Sequence, residues 1–320
     1  MDWLGTGIDS PLVVSRAVHF AATATTAGAL IFRAVVAEPA LLSAEAAVFV
    51  RMQNLRVASL GLAVAAASGA GWFLLQAAAM AGLSLKEAIA GDVLLTVVNE
   101  TQFGFVSEIR LALAITLAGC LAYDRYPPSR WLALASALGM IATIAWTGHA
   151  GSGVGEAGLM HLAADVLHLV AAAAWPGGLV SLALLLATAR HHEGLVWASA
   201  AKDITRRFST LGIVSVGVIF ATGVVNTWIL VGSMQALIGT DYGRLLVLKI
   251  TLFAAMLVIA AANRFFVTPR LGLRPEDSRR LVALRQLTRN SMMEIALSAA
   301  IFGIVGLLGT LHPAIHLLPS

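Results

Sequence analysis

The chain has 320 residues, of which 59% are hydrophobic and 12% are charged, and its mean hydropathy is +0.86. A soluble domain usually carries about 25% charged residues, so this composition excludes a soluble globular protein. The single cysteine, Cys120, excludes an internal disulfide and a Cys-x-x-Cys metal or redox site.

Apolar stretches of about 20 residues recur along the chain, and each can cross about 30 Å of hydrocarbon at 1.5 Å per residue. We therefore expect an all-α polytopic membrane protein, with one integral membrane domain over 1–320 and about eight transmembrane helices. The basic segment 268–290 could instead lie on the inner surface as a short amphipathic helix. In chain order, the predicted transmembrane helices are 11–37, 55–81, 104–122, 130–147, 159–189, 209–232, 244–267 and 291–311.

Basic residues collect in alternate loops between the predicted helices. Sixteen of the 21 Lys and Arg residues lie in or beside the first, third, fifth and seventh loops. Short loops rich in Lys and Arg stay in the cytoplasm, so both chain termini are predicted to face the outer side. The same bias accounts for the isoelectric point near 9.7, which we interpret as an orientation signal beside anionic lipid and not as nucleic-acid binding.

Three short patterns occur twice in the same order, which predicts two halves of four helices near 1–155 and 156–320. Because four is even, the halves would share one orientation and be related by an axis along the membrane normal. The first pattern pairs His19 and Gly28 with His168 and Gly177. The second pairs Arg56 to Gly61 with Arg207 to Gly212. The third pairs Thr101 to Gly104 and Arg110 with Thr240 to Gly243 and Lys249.

The densest group of polar residues lies at the start of the fifth predicted helix. His161, Asp165 and His168 are four and three residues apart, so they share one helix face. Imidazole nitrogen binds copper, zinc, iron and nickel, and a thioether such as that of Met160 shifts the preference toward Cu(I). Asp165 could also orient a ligand histidine. The alternative is that these groups only hydrogen-bond between helices.

His19 and His168 are predicted to lie at nearly the same depth, since each precedes a glycine by nine residues and lies about 12 Å from the outer side. We expect their imidazoles to meet near the axis between the halves and to form a metal site with His161 or Asp165. Arg16 occupies the position before His19 that Asp165 holds before His168. Arg16 and Asp165 are therefore predicted to form a charge pair.

Further candidate ligands lie nearer the outer side. His149 and His161 would receive the metal ion first and pass it inward. His312 and His316, four residues apart near the C-terminus, are possible accessory ligands together with Met160.

A joint pattern of motifs extends along essentially the whole chain. It consists of Gly148-His149-Ala150, the face formed by His161, Asp165 and His168, Trp175-Pro176-Gly177-Gly178, Arg207-Phe208-Ser209, Thr222-Gly223 with Asn226, Tyr242-Gly243-Arg244 with Lys249, and Leu308-Gly309-Thr310. This pattern resembles the copper resistance protein D family (CopD, PcoD).

The resemblance implies a copper homeostasis protein of the bacterial inner membrane, which here would have both termini in the periplasm. It implies that the protein moves copper across that membrane and works with a separate periplasmic copper-binding protein of the CopC type. The matching metal candidates are His19, His149, His161 and His168. Pro176 departs from the family pattern, which has an aliphatic residue there, and is expected to kink the fifth helix.

No lysine of the chain follows a glycine, so the phosphate-binding Gly-Lys-[Ser/Thr] motif is absent, as is an Asp-Lys-Thr-Gly phosphorylation sequence. We therefore expect a non-enzymatic protein that moves Cu(I) or Cu(II) inward without ATP. The membrane potential favours cation entry by about 2.3 kcal/mol per charge per 100 mV. Two alternatives stay open: a membrane copper chaperone or sensor without transport, and a cytochrome whose paired histidines hold haem.

Overall fold

The computed structural model describes residues 9–41, 44–191, 195–273 and 277–316, and the regular elements in these ranges are all helical. Short π-helical and 3-10 segments extend or join several of the α-helices. The α-helices are α1 (Ser10–Ile31), α2 (Ala44–Ala81), α3 (Leu85–Ala90), α4 (Val93–Glu100), α5 (Gln102–Ala122), α6 (Pro127–Ala142), α7 (Gly155–Ala172), α8 (Leu179–Ala189), α9 (Leu195–Val231), α10 (Met234–Gly239), α11 (Asp241–Ala262) and α12 (Ser278–Leu308).

Eight helical spans in the described residues are long and apolar enough to cross a membrane, which confirms the predicted all-α membrane fold. The second and sixth spans begin well before the predicted residues 55 and 209. Charged residues such as Arg51 and Lys202 end an apolar stretch, but they favour a helix as much as most residues do. The spans are Ser10–Ala40, Ala46–Ala81, Gln102–Ala122, Pro127–Thr147, Gly155–Ala189, Trp197–Val231, Asp241–Gly272 and Ser278–Leu308.

The eighth span differs most from its predicted bounds. Helix α12 runs without a break from Ser278 to Leu308, so the prediction of a separate surface helix over 268–290 was wrong. The reason is that the first turns of α12 bury Leu284 and Leu287 in the protein core. This packing joins the basic segment to the membrane helix that follows it.

The first and fifth spans form the centre of the bundle. In the most apolar 18-residue stretch of each span, 78% of the residues of the first span and 67% of those of the fifth are buried, against 6% in the seventh. The backbones of the first and fifth spans touch, because a Cβ atom added at Gly28 would lie 2.5 Å from the Ala173 carbonyl oxygen. A Cβ atom at Gly177 would meet the Ala24 carbonyl, whose carbon would be 2.7 Å away. The two spans that carry His19 and His168 are therefore in direct contact at these glycines.

The fifth span changes its helical form around Pro176. Ala173–Gly177 is a π-helical segment between α7 and α8. Proline has no N–H to donate to the preceding turn, and one wider turn is a common way for a helix to accommodate such a residue. Pro176, the residue that departs from the family pattern, therefore lies in the π-helical segment that joins α7 to α8.

The two Thr-x-x-Gly motifs have the same local structure. Thr101 Oγ1 accepts a hydrogen bond from the Gly104 N–H at 2.9 Å, and Thr240 Oγ1 accepts one from the Gly243 N–H at 3.0 Å. Each threonine caps a membrane helix that follows a short helix, α4 or α10. This agreement supports an internal repeat, although the division into halves at residue 155 stays a prediction.

A cluster of ion pairs joins the ends of the first three spans on the predicted inner side. The Asp124 carboxylate accepts from Arg33 Nη1 at 2.5 Å and from Arg51 Nε at 2.6 Å. Arg33 also donates to Glu38 at 2.8 Å, and Arg130 donates to the Asp124 carbonyl at 3.0 Å. Because Asp124 and Arg33 are buried, removing Asp124 would leave the Arg33 guanidinium with only the more exposed Glu38 as a described carboxylate partner, which is costly for a buried charge.

Candidate metal-binding site

His168 on α7 faces α9. Its Nδ1 is 3.0 Å from the Thr222 hydroxyl oxygen. Thr222 donates its hydroxyl hydrogen to the Val218 carbonyl at 2.6 Å, so its oxygen accepts and the Nδ1–H of His168 donates. The ring then carries its lone pair on Nε2, the nitrogen that can bind a metal ion.

Asp165 lies one helical turn before His168 and also faces α9. Its Oδ1 accepts a hydrogen bond from Asn226 Nδ2 at 3.2 Å. Lys249 on α11 interacts electrostatically with both Asp165 and His168. Among the described residues no ion pair joins Lys249 to Asp165. An imidazole, a carboxylate, an amide and an ammonium group therefore surround a polar site between α7, α9 and α11.

His19 on α1 is 3% exposed, and both of its ring nitrogens have partners. Its Nδ1 donates to the Ala65 carbonyl at 2.8 Å, and its Nε2 accepts from Arg110 Nη2. Arg110 is held in place because its Nη1 also donates to the Met140 carbonyl at 2.9 Å and to Thr143 Oγ1 at 3.0 Å. In this arrangement His19 has no lone pair to offer a metal ion.

The surroundings of His19 and His168 correspond residue by residue. Gly69 lies against His19, where a Cβ atom would be 2.9 Å from the ring Cε1, and Gly223 lies against His168, where the same distance would be 3.8 Å. Each α2 residue that contacts His19 precedes the corresponding α9 residue at His168 by the same number of positions. The corresponding contacts, first half first, are Ala65 and Ile219, Ser68 and Thr222, Gly69 and Gly223, and Arg110 and Lys249.

The predicted charge pair between Arg16 and Asp165 is not present among the described residues. The Arg16 guanidinium instead lies over the ring of Trp72, 5.1 Å from its centroid, while Asp165 contacts Asn226. Trp72 and Asn226 occupy corresponding positions of α2 and α9. Arg16 therefore lies against α2, and also against Gly309 at the end of α12, whereas Asp165 faces α9, so the two charged groups have different partners.

The metal site predicted to be shared by His19 and His168 has no support from the described contacts. His19 is hydrogen-bonded to α2 and α5, whereas His168 is hydrogen-bonded to α9. The shared site stays a prediction, and metal binding by His19 would require Arg110 to move away.

His149 and His161 lie near each other at the predicted outer side. His149 begins a 3-10 segment before α7, and its ring lies 6.3 Å from that of Tyr242. It interacts electrostatically with His161, which is buried on α7, and with His312. Burial lowers the pKa of His149 below its ordinary value of 6.5, so its ring is neutral at neutral pH, the form that binds metals.

The remaining candidate ligands are more exposed. The Met160 side chain is 54% exposed, and His312 is exposed as well. The side chain of His316 lies outside the described residues. Within the part of the chain that the structure describes, no three His, Cys, Asp or Glu side chains are arranged to hold a metal ion.

The buried charged residues to which the sequence analysis gave no role at a site include two with polar partners deep in the bundle. One is Arg110, the partner of His19. The other is Glu294 on α12, whose Oε1 accepts from Asn263 at 2.9 Å, while Asn290 donates to Asn263 at 2.7 Å. Both residues lie within predicted membrane helices, where a charge usually marks an interior position. The sequence therefore indicates that both residues face the interior of the bundle, but it does not indicate which residues they contact.

Two models of known protein families together match most of the chain. The family model described as Copper resistance protein D matches residues 202–308. The model described as Copper resistance protein D-like, N-terminal domain matches residues 7–159. No solved structure matches the chain.

Three curated relatives are each about one-third identical to the chain. The chain is 32% identical to Copper resistance protein D of Pseudomonas syringae pv. tomato, over 68% of this chain and 70% of that protein. It is 32% identical to Inner membrane protein YebZ of Escherichia coli, over 68% and 71% respectively. It is 34% identical to Copper transport protein CutJ of Bacillus subtilis, over 58% of this chain and 34% of that protein. Together with the two matching family models, these similarities mean that the chain belongs to the copper resistance protein D family.

Proposed function

We propose that this protein moves copper from the periplasm toward the cytoplasm without ATP, and that His168 is the central ligand for the passing ion. The observation that carries the proposal is the hydrogen bond from His168 Nδ1 to Thr222, which leaves Nε2 with the lone pair. Metal-binding histidines are commonly oriented in this way by a partner on the other ring nitrogen. Asp165, one turn away, supplies a negative charge that favours a cation.

His149 and His161 would form an outer station in the proposed route. Their mutual electrostatic interaction and their position toward the outer end of α7 support a transfer from His149 to His161 and then to His168. Copper is the transported substrate, and inward movement of a cation follows the membrane potential. By resemblance to the family, we propose that a separate periplasmic protein of the CopC type delivers the ion.

The direction of transport depends on the orientation of the chain in the membrane. We propose that both termini are periplasmic, because most basic residues lie at the opposite end of the helices. The only cysteine, Cys120, is buried, so single cysteines can be introduced and labelled with little background. A cysteine in 148–158 should react with an impermeant reagent from the outer side, and one in 270–285 should not. The reverse result would reverse the proposed direction.

Copper uptake into proteoliposomes tests the function itself. Vesicles that contain the purified chain should accumulate copper without nucleotide, and more so when their interior is made negative. His168→Ala should weaken copper binding about tenfold or more and reduce uptake. His191→Ala, at an exposed position of the inner side, should do neither.

Three outcomes would contradict the transport proposal. Strict dependence on ATP would exclude movement driven by the potential. Copper binding without flux would favour a chaperone or sensor. A haem absorption spectrum of the purified protein would favour a cytochrome.

A further inference from the structure

A basic cavity of about 760 Å³ lies on the predicted cytoplasmic side, between the sixth and seventh spans and the end of the first. Four cationic side chains line it: Lys202, Arg206 and Arg207 from α9, and Arg264 from the π-helical end of the seventh span. Among the described residues that line it, Asp203 is the one acidic residue. Neither the proposed copper route nor the family comparison assigns a role to this cavity.

The positive charges of the cavity are not neutralised within the described part of the chain. None of the four cationic residues takes part in a described ion pair. Arg264 donates to the neutral hydroxyl of Ser209 at 2.7 Å, and Asp203 accepts a hydrogen bond from Ser199 at 3.2 Å. Four cations around one carboxylate produce a positive potential that attracts an anion.

A buried hydroxyl in the lining lacks a hydrogen-bond partner. Thr268 is 8% exposed, and its Oγ1 has no partner among the described residues. Buried polar atoms are rarely left unpaired, and such an atom calls for a ligand or solvent partner. A phosphate oxygen beside Arg264 would accept a hydrogen bond from this hydroxyl and a charge-assisted one from a guanidinium.

We infer that this cavity binds the phosphate headgroup of an anionic phospholipid from the inner leaflet. The seventh span contributes Arg264 and Thr268, and only 6% of the residues in its most apolar 18-residue stretch are buried inside the protein, so this span lies at the periphery of the bundle, where lipid can reach it. Phe265 and Phe266, next to Arg264, are exposed apolar side chains on which acyl chains can pack. Basic recesses between membrane helices on the cytoplasmic side are a known geometry for anionic headgroups. The inference does not depend on the proposed copper route, but its assignment to the inner leaflet rests on the proposed orientation of the chain.

Lipid binding to the purified full-length chain tests this inference. The chain is reconstituted in phosphatidylcholine nanodiscs with a small fraction of spin-labelled phosphatidylglycerol, and the immobilised fraction of the label is measured. The double variant Arg206→Gln and Arg207→Gln should lower the affinity for phosphatidylglycerol about tenfold. Thr268→Val, which removes only the hydroxyl, should lower it about threefold to tenfold.

The matched control is the double variant Arg285→Gln and Arg289→Gln. It removes the same charge from exposed positions of α12 that do not line the cavity, and it should leave the affinity unchanged. An equal loss in this control would mean that net charge alone attracts the lipid, which would overturn the inference. Displacement of the label by millimolar inorganic phosphate would overturn the lipid assignment in favour of a soluble anion. Circular dichroism of each variant shows whether it is folded.

Discussion

Replacing Thr222 by valine tests the proposed copper site most directly, because the change removes one hydroxyl and keeps the shape of the side chain. This hydroxyl accepts the Nδ1–H of His168 at 3.0 Å and donates to Val218 at 2.6 Å. Without it, the imidazole loses the acceptor that holds its tautomer and its orientation. Loss of such support costs about 10- to 100-fold in metal affinity, which is about 1.4 to 2.7 kcal/mol.

The matched control for this experiment is Thr251→Val on α11. Thr251 also donates to the carbonyl four residues earlier, at 2.9 Å, but it is exposed and has no contact with a histidine. The assay is a titration of purified protein with copper against a chelator of known affinity. If Thr222→Val binds copper as tightly as the unchanged chain, or if Thr251→Val loses as much affinity, the hydrogen bond does not prepare His168 for metal binding.

Three further results are expected. Asp124→Ala should reduce the free energy of unfolding in micelles by about 3–5 kcal/mol, because it removes the buried carboxylate that Arg33 and Arg51 share. Gly177→Ala should reduce the free energy of unfolding by about 1–3 kcal/mol or more, because the added methyl group overpacks against a main-chain carbonyl. Gly217→Ala is the control, since its Cβ would meet no atom within 4 Å, and it should leave the thermal midpoint unchanged or higher. Because burial lowers the pKa of His149, the folded protein favours the neutral form of this ring. The contribution of the neutral ring to the free energy of unfolding is present above about pH 6.5 and is lost as the pH falls. His149→Gln should therefore show a smaller fall in thermal midpoint between about pH 7.5 and about pH 5 than the unchanged chain.

The number of membrane helices could be predicted from the sequence because it depends on local composition. A helix in lipid satisfies its own backbone hydrogen bonds, so an apolar stretch of sufficient length is enough to indicate a span. The same holds for the shared face of Asp165 and His168, which follows from their spacing on one helix. Both residues do face α9 together.

The sequence predicts the ends of the helices less accurately, because a charged residue ends an apolar stretch without ending the helix. Helix α9 continues inward through Lys202 and Arg206, and α12 begins at Ser278, before the predicted residue 291. Whether such a segment leaves the helix depends on what it packs against. Apolar periodicity within the segment does not contain that information.

The partners across helices were decided only by the tertiary structure. The sequence indicates that Arg16 and Asp165 occupy corresponding positions, but the Arg16 guanidinium lies over Trp72, and the Asp165 carboxylate accepts from Asn226. Likewise, the sequence places His19 and His168 at corresponding positions, but only His19 accepts a hydrogen bond from Arg110 on its Nε2. Spacing along one helix determines which residues share a face, but the rotation of that face toward a neighbour depends on how all the helices pack together.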